Sequence, residues 1–135
     1  MEREVQAVSK VLVLDSSAML AALLDEPGGE RLEAADEPLI ASTVNMTETR
    51  TRLFDLGYAK EEVESSIRLL NVREVDFTRA QSIAASALRP ATRAAGLSLG
   101  DRACLALAEQ FGATALTADR QWKTIALPVA VELIR

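Results

Sequence analysis

The chain contains no histidine. Ser-His-Asp and Cys-His nucleophile systems, imidazole general bases and His-ligated zinc are thereby excluded. Cysteine occurs once, at Cys104, which leaves neither an internal disulfide framework nor a cysteine-only zinc site. Long apolar runs are missing too. The two longest, Ala18 to Leu24 and Ala103 to Ala108, hold seven and six residues, where a membrane-spanning helix needs about 20. The first ten residues, MEREVQAVSK, are charged and lack the apolar core of a signal peptide. These absences lead to the expectation of a cytoplasmic protein with no membrane partner. Positive charge is also in deficit. The 15 Lys and Arg face 20 Asp and Glu, a net charge of −5, which opposes simple electrostatic binding to nucleic acid.

Chemistry, if any, falls to carboxylates, hydroxyls and the Arg and Lys side chains. Oxygen donors without imidazole or thiolate suit hard cations, magnesium first and manganese next. Of the basic residues, 12 are Arg and 3 are Lys, and Arg is the bidentate phosphate binder. The 135 residues make one domain spanning the whole chain, with residues 1–10 expected as a flexible extension. A composition of 49% hydrophobic and 26% charged residues is globular. Ala and Leu supply 42 residues while aromatics are only 4%, which favours a helix-rich fold with a small-residue core.

Short β-forming runs alternate with helical patterns along the chain. Val11 to Leu14 reads as a strand buried on both faces. Ser16 or Ser17 is predicted to cap a helix through Asp25, broken by Pro27-Gly28-Gly29, with a short helix over 30–35 after it. Leu39 to Ala41 is a brief strand, and Ser42 or Thr43 caps a helix to about Leu56. Val63, Ile67 and Leu70 mark a helix over 60–70. A strand over 71–76, a helix from Thr78 to about Leu88, a helix from Leu99 or Gly100 to Phe111, a strand over 113–117, a helical turn over 119–124 and a strand over 129–133 complete the order. Such alternation predicts a three-layer α/β/α fold, with a mainly parallel sheet of about five short strands flanked by helices. Sites in such sheets lie beyond the carboxyl ends of the strands.

Acidic residues stand at those places. Asp15 follows the first strand, and Asp119 follows the strand over 113–117. Asp101 sits in the first turn of a helix whose next residues, 103–108, are all apolar. Glu48 lies inside a helix, and Asn45, Glu48, Arg52 and Asp55 share one stripe of it, roughly opposite Met46, Leu53 and Leu56. Taken singly, each acid has a plain reading as a cap, a dipole partner or a solvated helix face. Together, four converging carboxylates repel unless cations join them. Two divalent ions about 3.5–4 Å apart would neutralise such a site and bind the attacking and leaving oxygens of a phosphodiester, with a metal-held water as nucleophile. The segment VLVLDSSA is also similar to the start of phosphotransfer enzymes with an Asp nucleophile. That chemistry wants an acid two residues on, where this chain has Ser17.

These motifs, VLVLDSSAMLAALLDEPG from Val11, STVNMTETRTRL from Ser42 and LSLGDRACLALAEQFGATALTADRQW from Leu97, resemble PIN-domain ribonucleases. The likeness is to the VapC-like toxins of bacterial and archaeal toxin–antitoxin systems in particular. It runs from Val11 to about Leu133, with the four acids 33, 53 and 18 residues apart. The resemblance implies a PIN-like fold and a metal-dependent endoribonuclease using magnesium, or manganese in its place. It assigns Asp15, Glu48, Asp101 and Asp119 as catalytic metal ligands, Asp15 and Asp101 foremost. Ser17 and Thr117 fall where the family carries hydroxyls near the cations, and Asn45 is a further polar neighbour. Arg50, Arg52, Arg102 and Arg120 are the donors expected to meet RNA. The implied partners are a VapB-like antitoxin and a second copy of the chain. The apolar stripes Met19, Leu20, Leu23, Leu24 and Val63, Ile67, Leu70 are the expected interfaces. The residues themselves leave a housekeeping PIN nuclease without antitoxin, and a non-catalytic α/β binding module, as alternatives.

Overall fold

The computed structural model describes residues 10–135, so the expected extension over residues 1–10 falls, apart from Lys10, outside the described residues. Five strands form one sheet: β1 (Leu12–Leu14), β2 (Leu39–Ser42), β3 (Arg73–Val75), β4 (Thr114–Thr117) and β5 (Val131–Leu133). Their order is β3-β2-β1-β4-β5, and every neighbouring pair is parallel. β1 is central and buried throughout, as its apolar run requires. Its register sets Val13 beside both Ile40 and Ala115.

Because successive strand residues face opposite sides, the sheet has two cores. Val13, Ile40 and Ala115 pack with Cys104, Leu105, Leu107, Ala108 and Trp122 on one face. Leu12, Leu14, Ala41 and Leu116 pack with Ala18, Met19, Met46 and Ile67 on the other. The second face is covered by α1 (Ser16–Leu23), α2 (Glu30–Glu33), α3 (Thr43–Asp55) and α4 (Lys60–Leu69). On the first lie α5 (Arg79–Ala87), α6 (Arg89–Thr92), α7 (Leu99–Phe111) and a 3-10 turn (Arg120–Lys123). The three-layer α/β/α prediction holds. Residues 103–108 of α7 are all buried, and Gly112, in the left-handed conformation (φ 58°), ends the helix.

Two local expectations need correction. The cap of α1 is Asp15 rather than a serine: its carboxylate accepts the Ala18 N–H at 2.9 Å. The apolar stripes expected at interfaces divide between the core and the half-buried surface. Met19 and Val63 are fully buried and Ile67 is buried, because α1 packs on β1 and β4 and α4 packs on α3, whereas Leu20, Leu23, Leu24 and Leu70 are half-buried. The large exposed apolar side chains are instead Phe54, Leu56, Leu69, Ile83, Leu99 and Phe111, so Leu56 leaves the buried side of α3. No helix among the described residues is long and apolar enough to cross a membrane.

Arg50 ties three elements together. Its guanidinium donates to both carboxylate oxygens of Glu64 on α4 and both of Glu74 on β3, with leading contacts of 2.9 and 3.0 Å. Replacing it with Met is expected to lower stability by roughly 1 kcal/mol, more than an isolated exposed pair is worth. Arg50→Lys should recover little, since one ammonium cannot span both acids. Urea unfolding measures this, and two variants as stable as the parent would show that the network carries no stability.

Candidate active site

The strand order reverses at β1 and β4, and the crevice outside their carboxyl ends is where open α/β sheets bind ligands. Asp15 leaves β1 there, only 3% exposed. Its Oδ1 accepts from Ser17 Oγ at 2.7 Å and from the Ala18 N–H, and its Oδ2 accepts from the Thr117 hydroxyl at 2.5 Å. Thr117 ends β4, and its Oγ1 in turn accepts the Asp119 N–H at 3.0 Å. Ser17 Oγ accepts the Ala118 N–H at 2.9 Å and lies 3.3 Å from Thr117 Oγ1. Two hydroxyls thus stitch β1 to β4 and orient Asp15. Asp119 caps the 3-10 turn by accepting the Gln121 N–H at 2.9 Å.

Asp101 enters from α7. It forms a reciprocal capping box with Ser98: Ser98 N–H donates to Asp101 Oδ2 at 2.9 Å, and Asp101 N–H donates to Ser98 Oγ at 3.2 Å. Glu48 comes from α3 and is exposed. Its Oε1 accepts from Asn45 Nδ2 at 3.1 Å, and the same amide donates to the Gly100 carbonyl at 3.0 Å. Asn45 is buried and its Oδ1 has no partner. The Glu48 carboxylate lies so close to Gly100 that a Cβ there would overlap it. Gly100 therefore lets α3 and α7 approach and brings Glu48 beside Asp101.

The electrostatics show the convergence. Burial pushes the Asp15 carboxyl up to about 6 against its three hydrogen bonds, and the Asp101 charge adds to the rise. Asp101 is also raised, first by burial, with Asp119 adding to the effect and Arg102 opposing it. Burial drives the Cys104 thiol well up, and the charges of Asp15, Asp101 and Glu48 push it further. Cys104 is thus an inert core thiol. Asp15 and Asp119 each act electrostatically on or with Asp101, Glu48 abuts Gly100 at the head of α7, and Arg102 is the cation that opposes the acids at Asp101. Among the described residues no three carboxylates close on one point as a ready-made cage. The donor set still fits a hard divalent cation: it is all oxygen, and Asp15, Asp101 and Asp119 are each held by hydroxyls or by capping N–H groups.

The four arginines expected to meet RNA divide. Arg50 is held by Glu64 and Glu74, which corrects its placement among free donors. Arg102 runs half-buried along α5, donating from Nη1 to the Ala85 carbonyl at 3.1 Å. Arg52 and Arg120 are exposed. Helical spacing showed which residues share a face with Glu48 but not what opposes that face. The role of Gly100 was legible only as a glycine standing before an acid, a weak signal.

Comparison with known proteins follows the same lines. A family model described as PIN domain matches residues 12–127. No curated protein sequence matches significantly. Among solved structures, the chain is similar to VapBC2 of Rickettsia felis bound to a promoter DNA fragment. That match has TM-score 0.71 and 17% identity, over 91% of this chain and 98% of the other. It is also similar to Mycobacterium tuberculosis VapC20, described as a toxin that cleaves the sarcin-ricin loop (TM-score 0.69, 22% identity, 84% and 93% covered). A third likeness is to FitAcB of Neisseria gonorrhoeae (TM-score 0.67, 22% identity, 89% and 95% covered).

Proposed function

The chain belongs to the PIN domain family, and on that premise we propose that it is a divalent-metal-dependent endoribonuclease acting as the toxin of a VapBC-like toxin–antitoxin pair. The observation that carries the reading is that Asp15 and Asp119 at the ends of β1 and β4 and Asp101 at the head of α7 lie in one crevice, with Glu48 set against Gly100. Asp15 and Asp101 are the principal ligands, and Glu48 and Asp119 complete the set. Divalent cations, magnesium or manganese, would supply there the positive charge that polarises water and offsets the phosphodiester.

The protein's own groups do the positioning. Ser17 and Thr117 hold both oxygens of Asp15, and Ser98 holds one oxygen of Asp101. Asn45 holds Glu48. Arg52, one helical turn beyond Glu48, and Arg120, next to Asp119, are exposed and would meet RNA phosphates. Water attacks phosphorus and loses its proton, and the 3′ oxygen leaves and gains one. The products are a 5′-phosphate and a 3′-hydroxyl. Incubation with RNA, magnesium and then excess EDTA tests this. Cleavage that EDTA abolishes and that leaves 5′-phosphate ends is the expected result. A 2′,3′-cyclic phosphate, or full activity in EDTA, overturns it.

A groove of about 690 Å³ supports the partner. It has an apolar floor that includes Leu23, Leu32, Leu39 and Leu70 and an acidic rim of Glu33, Asp36 and Glu37, and it suits a basic amphipathic segment of a VapB-like antitoxin. A homodimer is part of the same proposal, through exposed apolar side chains such as Phe54 and Leu56. Localisation in the cytoplasm follows from this role.

A further inference from the structure

The two parts of the chain carry opposite charge. Residues 1–76 hold 16 Asp and Glu against 8 Lys and Arg, whereas residues 77–135 hold 4 against 7. Two of those four acids are Asp101 and Asp119. The longest stretch without any acid, residues 77–100, contains Arg79, Arg89 and Arg93. It builds α5, α6 and the turn into α7. Charge is therefore segregated by layer: α1 to α4 belong to the acidic part, and the layer beside α7 to the basic part.

These arginines form no ion pair among the described residues. Every ion pair among the described residues involves Arg31, Arg50 or Arg135. Arg79, Arg89 and Arg93 are all exposed. The segment beneath them is anchored. Leu88 and Leu97 enter the core, Thr92 Oγ1 donates to the Leu88 carbonyl at 2.8 Å, and Gly96 (φ 72°) turns the chain towards α7. Arg89 Nη1 reaches the Leu97 carbonyl at 3.5 Å. Leu97 adjoins Ser98, whose N–H holds Asp101. The basic surface thus ends one peptide unit from the hydrogen bond that fixes an acid of the site.

We propose that α6 and the turn into α7 form a docking track for the phosphates of a polynucleotide, with Arg89 and Arg93 as its contacts, leading the strand to the carboxylate site. This rests on the nuclease reading. An acidic protein repels RNA over most of its surface. An acid-free stretch carrying bidentate donors on a fixed backbone supplies the local attraction that the whole lacks.

Binding of a single-stranded RNA 20-mer to the Asp101→Asn protein with magnesium, followed from 50 to 200 mM salt, tests the track. Each lost phosphate contact on a single strand flattens the log–log salt dependence by about 0.7. The double variant Arg89→Gln/Arg93→Gln should flatten it by about 1.4 and weaken binding at the low-salt end about tenfold or more. Arg89→Lys/Arg93→Lys should restore most of the slope. Arg93→Gln alone, at a side chain with no hydrogen bond among the described residues, should flatten it by about 0.7. Arg68→Gln/Arg73→Gln, on the α4–β3 side, should leave it unchanged. An unchanged slope for the Arg89/Arg93 variant, in a protein whose parent binds and cuts RNA, overturns the track alone. An equal loss for the Arg68/Arg73 variant also overturns it, by showing an effect of net charge. No RNA binding by the parent overturns the nuclease reading and the track with it.

Discussion

Asp15→Asn is expected to abolish RNA cleavage while making the metal-free protein more stable at neutral pH. The Asp15 carboxyl titrates near 6 in the folded protein because burial disfavours its charge, against about 3.9 in an unfolded chain. The folded state therefore holds the proton more tightly. Its contribution to stability is fully present below about pH 4 and is lost as pH rises through about 6. At pH 7 the ionised carboxylate then costs about 3 kcal/mol, two pH units at 1.36 kcal/mol each. Asn keeps an oxygen for the Ala18 N–H and the Ser17 hydroxyl. Its amide donates to Thr117 Oγ1, whose hydroxyl turns to Ser17, 3.3 Å away. Urea unfolding in EDTA from pH 4 to 7 should show the parent weakening and the variant holding steadier, with a gain of about 2–3 kcal/mol at pH 7. Magnesium should raise the melting temperature of the parent more than that of the variant, because a ligand bound only by the folded state stabilises it. Parallel pH curves and equal magnesium shifts would remove Asp15 from the site.

Gly100→Ala should separate activity from stability in another way. Gly100 is inside α7 with ordinary helical geometry, so alanine improves helix propensity by up to about 1 kcal/mol. The atoms nearest the added methyl belong to the Glu48 carboxylate, the far end of a flexible side chain. Glu48 can swing away at small cost to folding, and in doing so it loses its hydrogen bond to Asn45 Nδ2. Displacing a reacting group by about 1 Å can cost on the order of a hundredfold in rate. The expected result is cleavage reduced about a hundredfold or more, with unfolding free energy within about 1 kcal/mol of the parent. Gly100→Ala combined with Glu48→Ala should be no slower than Glu48→Ala alone, since the methyl acts through that carboxylate. Full activity in Gly100→Ala would show that Glu48 need not stand beside Asp101.

Element order was legible because its signals are local. The apolar run before Asp15, the Ser42 and Thr78 caps and the Gly112 stop each act within a few residues. The placement of three acids at strand ends and a helix start followed from the same reading, and the sheet rule said that those ends meet. Which of Asp15, Ser16 and Ser17 caps α1 was not legible, because all three are good caps by type. Burial of the stripe Val63 and Ile67 was missed because periodicity gives a face, not what covers it.

By itself, the sequence determined the fold class and the succession of strands and longer helices, and it singled out the four acids; the short helix α6 over Arg89–Thr92 was not legible beside Pro90. Periodicity, turn residues and residue chemistry are written in the local chain. Only the tertiary structure decided which charges meet. Arg50 is captured by Glu64 and Glu74, 14 and 24 residues away. Glu48 is admitted beside Asp101 by Gly100, and Thr117 grips Asp15 across 102 residues. The layering of a basic α5–α7 side against an acidic α1–α4 side also belongs to the fold. Such pairings depend on strand order and helix packing, and the contact energies involved act only after the chain has brought distant residues within a few ångströms.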